Sequence, residues 1–449
     1  MGETERLLES VRELLDGGRE ERLADVLADQ HAADVSRVLR ELPLPDQVRV
    51  FRLLAPPDAG AVLSELDDQT LLELVRALDE VEVSRIFDQM PSDHVVEVVE
   101  ELPPEHAEKL LDLMVEEEKS EEVQELLEYE EGTAGRLMST NFVAVNEDAT
   151  VAHAIEHIRK AATRDGAFYL YVVDDHDHLV GLVPLHRLLT ADPATAIRDI
   201  RLPDVETVRV QTDQEEVARL VQHHNLLEMP VVDDNHRLLG TIGVDDVIDV
   251  MAEEATEDIQ RLGGAAGDET VFDPPETVFK RRMVWRLVNL GTAMVAAAVI
   301  GLFETSIQTL AMLAVFMPIV ASMGGIGTMQ TATVVIRGIA LGDLTPGMLA
   351  RVLRKELWLG VVTGVANGLI LALVAYAWKG QALLAGILGV ALVLNMLVAA
   401  VVGTLVPVAL RTFRIDPAIA SSVIITTFTD VFGFFSFLGL ATLLMSFLL

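Results

Sequence analysis

Five long apolar stretches fill the C-terminal part of this 449-residue chain, and they constrain its fold more than any other feature. Each is long enough to cross a bilayer core of about 30 Å as an α-helix, which rises about 1.5 Å per residue. Their apolarity is continuous and lacks the alternation of a β-barrel strand, so helices are predicted. The predicted spans are residues 287–304, 309–336, 357–378, 382–409 and 417–447.

The basic residues around the spans predict their orientation. Residues 280–449 contain eleven Lys and Arg, and only Lys379 lies on the side opposite the N-terminal region. Because cytoplasmic loops carry the excess of Lys and Arg, the N-terminal region is expected in the cytoplasm and the C-terminus outside. We therefore predict a multi-pass protein of the plasma (inner) membrane.

The region before the spans is strongly acidic. Residues 1–279 carry 23 basic and 65 acidic residues, whereas residues 280–449 carry 11 basic and five acidic ones. Such a surface repels phosphate backbones, which argues against nucleic-acid binding. It suits divalent cations as partners, although adaptation to a salty cytoplasm explains the acids equally well. The chain has no Cys, which excludes thiolate metal sites and disulfides, and it begins without the pattern of a signal peptide.

One acidic residue, Asp430, lies in the middle of the last predicted span. An ionised Asp at that depth costs about 2.5–3.5 kcal/mol, so its carboxylate is expected to face water, a cation or a basic partner. The spans offer no good basic partner. Small and polar residues recur beside it at helical spacing, with close helix packing as the alternative explanation for them. These residues are Ser422, Thr426, Thr429, Gly433 and Ser436.

The second span has an unusual run of helix-weakening residues. Pro318, Gly324, Gly325 and Gly327 predict an interrupted helix whose freed carbonyls could meet a hydrated ion, and a packing kink is the alternative. Five spans are few to enclose a pore, so we predict a homodimer with its axis along spans 2 and 5. A divalent cation would relieve the repulsion between the two copies of Asp430. The amides expected to bridge neighbouring helices are Asn289, Asn367 and Asn395.

An internal repeat organises residues 138–250. The segment 171–189 aligns with 230–248, which places Gly181 on Gly240. Each copy is predicted to run strand, helix, strand, turn, strand, helix. The repeat resembles a pair of cystathionine-β-synthase (CBS) domains, a regulatory module that often binds adenosine compounds or ions.

The other cytoplasmic segments are predicted to be helical. Short amphipathic helices, separated by turns such as ELPLPDQ and ELPPEH, indicate a stacked superhelix at the N-terminus. The segment MAEEATEDIQRLGG after the repeat predicts an acidic connector. The predicted fold is therefore multidomain: an all-α superhelical N-domain (1–132), an α/β tandem CBS pair (138–199 and 200–252), a connector or plug helix (253–279) and a five-helix transmembrane domain (280–449).

This order of domains resembles the MgtE family of magnesium channels and transporters over essentially the whole chain. The segments that carry the resemblance are AEEATEDIQRLGG in the connector, MPIVASMGG and QTATVVIRGIALGDL in and after span 2, RIDPAIA before span 5 and TTFTDVFGF within it. CBS pairs alone would be weak support, since they also regulate chloride channels and kinases.

The resemblance implies a homodimer in which Asp430 holds a largely hydrated Mg²⁺, in keeping with the reluctance of that ion to shed water. Pore-lining positions implied by the motifs are Gly324, Gly325, Gln330, Ser422, Thr426 and Thr429. The resemblance further implies that cytosolic Mg²⁺ bridges acidic groups and closes the pore. The ligand positions implied for that role are Asp93, Glu97, Asp213, Glu215, Asn225, Asp246, Asp249, Glu254, Glu257, Asp258 and Asp416.

The chain departs from the family pattern at several of these places. Ile326 follows the two glycines where Asn is common, and Ser422 stands where Asn can occur. Asn225 replaces an acid, which should weaken that one site. His186 and the adjacent Arg187 stand where ATP-binding members may have Arg and Asp, which argues against ATP binding although Tyr169 is present.

Gated, passive uptake of Mg²⁺ is the function predicted from these features. An ion-coupled transporter of Co²⁺, Ni²⁺, Mn²⁺ or other divalent cations is the alternative, and a nucleotide sensor that regulates something other than cation flow is a third possibility. An enzyme is not expected, because the sequence lacks a P-loop, HExxH, GxSxG and an acid/base pair in a plausible cleft.

Overall fold

The structure is a computed structural model that describes residues 3–161, 168–267, 269–271, 273–413, 415–418 and 421–448, without the side chains of 3, 161, 346, 421, 422, 446 and 448. It divides into two compact units, Met1–Met251 and Ala252–Leu449.

The first unit begins with a stack of short helices. Alternate helices contact each other, α1 with α3, α3 with α5, α5 with α7 and α7 with α9, which is the arrangement of a superhelix and confirms the prediction. Prolines begin several helices, where a missing N–H costs nothing. The helices are Glu3–Asp16 (α1), Glu20–Ala28 (α2), Ala32–Arg40 (α3), Leu44–Phe51 (α4), Pro56–Ser64 (α5), Asp68–Ala77 (α6), Glu80–Phe87 (α7), Ser92–Glu100 (α8), Pro104–Asp112 (α9), Glu117–Glu128 (α10) and Ala134–Leu137 (α11).

Two α/β units follow, as the internal repeat predicts. In each sheet the first strand is parallel to the second, and the second is antiparallel to the third. The first unit contains Ala144–Asn146 (β1), Val151–Ala161 (α12), Tyr169–Val173 (β2), Leu179–Pro184 (β3), Leu185–Thr190 (α13) and Ile197–Ile200 (α14). The second contains Val208–Arg209 (β4), Gln214–His224 (α15), Glu228–Val232 (β5), Leu238–Gly243 (β6) and Val244–Leu262 (α16).

The repeated glycines have a packing reason. A Cβ on Gly181 would lie 2.8 Å from the carbonyl oxygen of Leu202, and one on Gly240 would lie 2.7 Å from that of Ser139. Each glycine therefore lets a neighbouring segment pass close to the last strand of its sheet.

The second unit contains five helices that are long and apolar enough to cross a membrane. They are Pro275–Gly301 (α17), Met312–Ala340 (α19), Leu349–Lys379 (α20), Ala382–Thr412 (α21) and Ser421–Leu443 (α22), with the short segments Glu304–Thr309 (α18), Pro346–Met348 (a 3₁₀ turn) and Met445–Leu448 (α23) between or after them. Helix α21 packs against α19, α20 and α22, and α22 also contacts α17. The five predicted helices are thus confirmed, and α17 begins twelve residues before the predicted span.

The predicted interruption of span 2 is wrong, because α19 is a continuous helix through Pro318 and the glycines. Pro318 is only the seventh residue of the helix, so it removes a single hydrogen bond near the end. The glycines serve packing: a Cβ on Gly324 would lie 2.2 Å from Nδ2 of Asn395, and one on Gly327 would lie 2.8 Å from Sδ of Met396. Close approach to α21 explains these residues without a broken backbone.

Candidate cation sites

Asp430 is the intramembrane acid of α22 and lies on one face with Thr426, four residues earlier, and Gly433, three residues later. Within the described part of the chain, its carboxylate has no hydrogen-bond or ion-pair partner. The hydroxyl of Thr429 is turned back onto the helix, where it donates to the carbonyl of Thr426 at 3.0 Å. No group of the described residues therefore competes with a cation for this carboxylate.

Helix α19 approaches this face at Gly325. A Cβ there would lie 3.8 Å from Cγ2 of Thr426, so two positions predicted to line a pore are neighbours. Gln330 lies further along α19 and is exposed in the single chain. The side chain of Ser422 lies outside the described residues. Gly324 instead faces α21, as described above.

Asn395 on α21 joins the three helices around this region. It is 1% exposed, and its Nδ2 donates to the carbonyl of Val320 on α19 at 2.9 Å. A Cβ on Gly433 of α22 would lie 2.7 Å from the same nitrogen. The prediction that Asn395 bridges helices is confirmed, and glycines on both neighbours make room for it.

A second carboxylate in a long helix, Glu356, was missed by the sequence prediction. Because α20 begins at Leu349, eight residues before the predicted span, Glu356 lies inside this helix and is 7% exposed. Its carboxylate accepts a hydrogen bond from Thr331 of α19 at 3.1 Å and pairs with Lys355 at 3.1 Å. It differs from Asp430 in having partners.

The C-terminal end of α16 lies against the ends of α19 and α22. Leu262 packs against the cluster of Ala332, Ile336, Ala418 and Ile425, which belong to α19, to α22 and to the segment before α22. The last turn of the acidic connector is therefore positioned over two helices that the sequence predicts to line a pore.

Arg261 binds two of the predicted metal ligands in this place. Its guanidinium forms ion pairs with Glu257, one helical turn earlier, and with Asp416, 155 residues away. Arg261 is not among the residues predicted from the sequence, although its position four residues after Glu257 is a signal for an ion pair on one helix face. A positive charge of the protein itself thus occupies part of the acidic surroundings predicted for Mg²⁺.

The acids around Arg261 are not fully neutralised. Burial raises the pKa of Glu257, with Arg261 lowering it and Glu254 raising it. Burial likewise raises the pKa of Asp258, and repulsion from Asp416 and Glu254 adds to the rise. Burial thus disfavours the charged forms of both carboxyl groups more than Arg261 stabilises them.

Four other predicted ligands come together within the first unit. Asp93 and Glu97 lie one turn apart on α8, and Asp246 and Asp249 lie one turn apart at the start of α16. Electrostatic repulsion links Glu97 with the other three. We call these four residues the acidic cluster; it unites the N-domain and the second CBS domain.

Burial raises the pKa of three carboxyl groups of the acidic cluster. Desolvation, with repulsion from Asp93, raises the pKa of Glu97 to about 7, and desolvation with repulsion from Asp245 raises that of Asp246 to about 7. Burial also raises the pKa of Asp93, whose Oδ1 is buried without a hydrogen-bond partner among the described residues. Hard oxygen ligands under mutual repulsion are suited to Mg²⁺ or Ca²⁺.

Three further predicted ligands lie at the two ends of α15. Asp213 and Glu215 are at its start, and Asn225 follows its last residue. Asp213 caps the helix by accepting the N–H of Glu215 at 2.9 Å, whereas Asn225 ends it in the left-handed conformation with φ of 53°. Eleven helical residues extend about 16 Å, so the two ends cannot share one ion. The left-handed position gives a structural reason for Asn at 225, since Asn tolerates it better than most residues.

The predicted nucleotide position, Tyr169, lies at a cavity of about 360 Å³ in the CBS region. The residues lining the cavity are Phe168, Tyr169, Pro184, Leu185, His186 and Leu227. Glu228 lies beside it, accepting the N–H of Phe168 at 3.0 Å and the hydroxyl of Tyr171 at 2.9 Å. The lining is apolar with one imidazole, which suits a flat ring system.

Family models match three parts of the chain. Residues 317–440 match the MgtE model, described as a divalent cation transporter, and residues 30–132 match the MgtE intracellular N domain. The CBS domain model matches residues 134–194 and 197–253.

Curated relatives and solved structures agree with these matches. The magnesium transporter MgtE of Thermus thermophilus is 38% identical over 327 residues, 72% of either chain, and that of Bacillus subtilis is 32% identical over 73% of either chain. A crystal structure of the cytosolic domain of the Mg²⁺ channel MgtE in complex with ATP is 35% identical, with a TM-score of 0.52, and covers 54% of this chain and 99% of that one. The soluble part of a magnesium transporter is 28% identical, with a TM-score of 0.53, over 56% and 100% of the two chains.

Proposed function

This chain belongs to the MgtE family of magnesium transporters, and from that membership we propose that it is a Mg²⁺ channel closed by cytosolic Mg²⁺. Uptake would be passive, because an inside-negative potential favours entry by about 2.3 kcal/mol per charge per 100 mV. In the proposed orientation, residues 1–264 are cytoplasmic and the C-terminus is outside.

The observation that carries the proposal is the carboxylate of Asp430, which has no partner among the residues that the structure describes. A carboxylate in a membrane helix is retained only where water or a cation compensates it. The approach of Gly325 to Thr426 supports a path along α19 and α22, with Thr429 and Gln330 on the same two helices. Under this proposal a hydrated Mg²⁺ binds between Asp430 and its copy in a second subunit.

A homodimer is part of the proposal. In the single chain Ile326 of α19 and Phe428 and Phe432 of α22 are 52%, 44% and 47% exposed, so apolar surface is available to a second copy on both helices. Symmetry would also bring two Asp430 side chains together, which a divalent ion would stabilise.

Closure is proposed to depend on two groups of acids. Mg²⁺ bound to the acidic cluster would hold the N-domain against the second CBS domain, and Mg²⁺ at Glu254, Glu257, Asp258 and Asp416 would hold the connector over the pore helices. Asp213, Glu215 and Asn225 are proposed as more peripheral ligands. ATP or another adenosine compound is proposed to bind beside Tyr169, as the cytosolic domain of the similar channel binds ATP.

Mg²⁺ flux into liposomes tests the role of Asp430. Asp430→Ala and Asp430→Asn should abolish flux while leaving insertion and dimerisation intact, and Asp430→Glu should retain part of it because the charge survives. Glu304→Gln, which removes an exposed carboxylate outside the long helices, is the matched control and should conduct normally. Wild-type flux through Asp430→Asn would defeat the proposed site.

Reversal potentials distinguish a channel from an ion-coupled transporter of Co²⁺, Ni²⁺ or Mn²⁺. For a passive Mg²⁺ pathway, the reversal potential should shift by about 30 mV for each tenfold change in the Mg²⁺ gradient, the value for a two-charge process. Imposed proton or sodium gradients should leave that potential unchanged. A shift with either gradient would favour coupled transport.

A further inference from the structure

The turn that joins β2 to β3 places two imidazoles and a carboxylate together. The ligand atoms of Asp174, His176 and His178 all lie within 4.8 Å of one another. His176 is exposed and the other two residues are partly buried, so the group is open to solvent on one side. The two imidazole rings stack at 5.8 Å between centroids.

Hydrogen bonds fix the conformation of this turn. Oδ1 of Asp174 accepts the backbone N–H groups of His176 at 2.8 Å and His178 at 3.0 Å. Oδ2 of the same carboxylate lies 3.0 Å from Nδ1 of His178. Carboxylate–imidazole pairs of this kind orient metal-binding histidines.

The second CBS domain supplies an internal comparison. In its equivalent turn, Asp233 accepts the N–H groups of Asn235 and Arg237, both at 2.8 Å. The backbone hydrogen bonds are therefore the same with Asn and Arg where the first turn has His176 and His178. Since the turn forms without an imidazole at either of these two positions, its backbone hydrogen bonds do not account for His176 and His178.

We propose that the turn Asp174–His178 binds a borderline transition-metal ion of the Co²⁺, Ni²⁺ and Zn²⁺ class. Imidazole nitrogens favour these ions, whereas Mg²⁺ takes oxygen ligands and keeps its water. The site differs in this respect from the acidic cluster, whose ligands are all carboxylate oxygens. The exposed side leaves coordination positions for water.

The position of the turn gives such an ion access to the pairing of the CBS domains. His178 forms an isolated β-bridge with Arg237 of the equivalent turn, and the N–H of Leu179 donates to the carbonyl of His236 at 3.0 Å. A metal bound at His178 would therefore lie at the contact between the two repeats. It would be a sensor of transition metals that is independent of Mg²⁺.

Titration of the full-length protein with Co²⁺ tests this site. The protein carries no histidine tag, and millimolar Mg²⁺ is present to occupy the oxygen sites. We expect saturable binding of one Co²⁺ per chain, seen in the visible absorption of the ion. His176→Asn with His178→Arg, which copies the second turn, should weaken binding by at least about 10- to 100-fold, the loss typical when even a residue orienting a metal ligand is removed.

Two further variants distinguish the loss of metal ligands from the loss of folded protein. His176→Ala changes one exposed side chain and should also weaken binding at least tenfold. His153→Ala with His157→Ala removes another exposed pair, stacked at 6.5 Å on α12, and should bind Co²⁺ like the wild type. The proposal is overturned if the wild type shows no saturable binding in excess Mg²⁺, if either His176 variant retains wild-type affinity, or if the control pair loses it.

Discussion

Arg261 places a positive charge beside two carboxylates at which a regulatory Mg²⁺ is proposed to bind. It pairs with Glu257 and Asp416, and all three side chains are less than one-third exposed. Without its charge, the two carboxylates repel each other unless a divalent cation binds. We expect Arg261→Gln to open the channel more readily when internal Mg²⁺ is absent, by about two- to fivefold, the effect of losing 0.5–1 kcal/mol. Closure should then depend more steeply on internal Mg²⁺ in liposome flux assays. Arg282→Gln, which removes an ion pair with Glu269, is the control and should keep the wild-type dependence. An unchanged response in Arg261→Gln would show that the arginine does not compete with Mg²⁺.

At the scale of elements, the contact of α19 with α21 depends on Gly324. A methyl group there would lie 2.2 Å from Nδ2 of Asn395 and would displace the amide from the carbonyl of Val320. Gly324→Ala is expected to destabilise the protein by about 1–3 kcal/mol, as overpacking commonly does. Gly338→Ala is a matched control on the same helix, since no atom of the described structure beyond the adjacent residues and backbone of its own helix lies within 4 Å of its Cβ position. Thermal unfolding in detergent should show a lower midpoint for Gly324→Ala alone. Equal unfolding midpoints for the two variants would mean that α19 and α21 accommodate the added methyl group at little cost in stability.

At the scale of the whole molecule, the acidic cluster makes stability depend on pH and Mg²⁺ together. The folded-state pKa of Glu97 and of Asp246 is raised to about 7, above the ordinary carboxylate value. The folded state therefore binds more protons than the unfolded state between about pH 4.5 and 7, and stability falls as the pH rises through that window. In chelator, the unfolding midpoint should be lower at pH 8 than at pH 6. Mg²⁺ should raise it more at pH 8, because the ion then meets ionised carboxylates without displacing protons. Glu97→Gln with Asp246→Asn should remove most of this dependence, whereas Glu73→Gln, an exposed acid of α6, should not. A Mg²⁺ effect equal at both pH values would argue against the cluster as the site.

The sequence by itself determined the features that depend on neighbouring residues or on repetition. Continuous apolarity predicts the five long helices, since a membrane accepts only a backbone whose hydrogen bonds are satisfied internally. Two copies of one strand–helix pattern predict the CBS pair, and a lone carboxylate in an apolar helix marks Asp430. Each of these signals lies within a short segment and needs no knowledge of distant contacts.

Only the tertiary structure decided which distant groups meet. It brings Asp93 to Asp246, Arg261 to Asp416 and Gly324 to Asn395, pairs separated by many loops and helices. It also explains why α19 stays continuous. The glycines, which predict a break on local propensity alone, allow α19 to pack closely against α21. Helix propensity measures a cost of at most about 1 kcal/mol for each glycine, which close packing of two helices can offset. The cost of each glycine can be read from the sequence, whereas the contact that offsets it forms only when the chain folds.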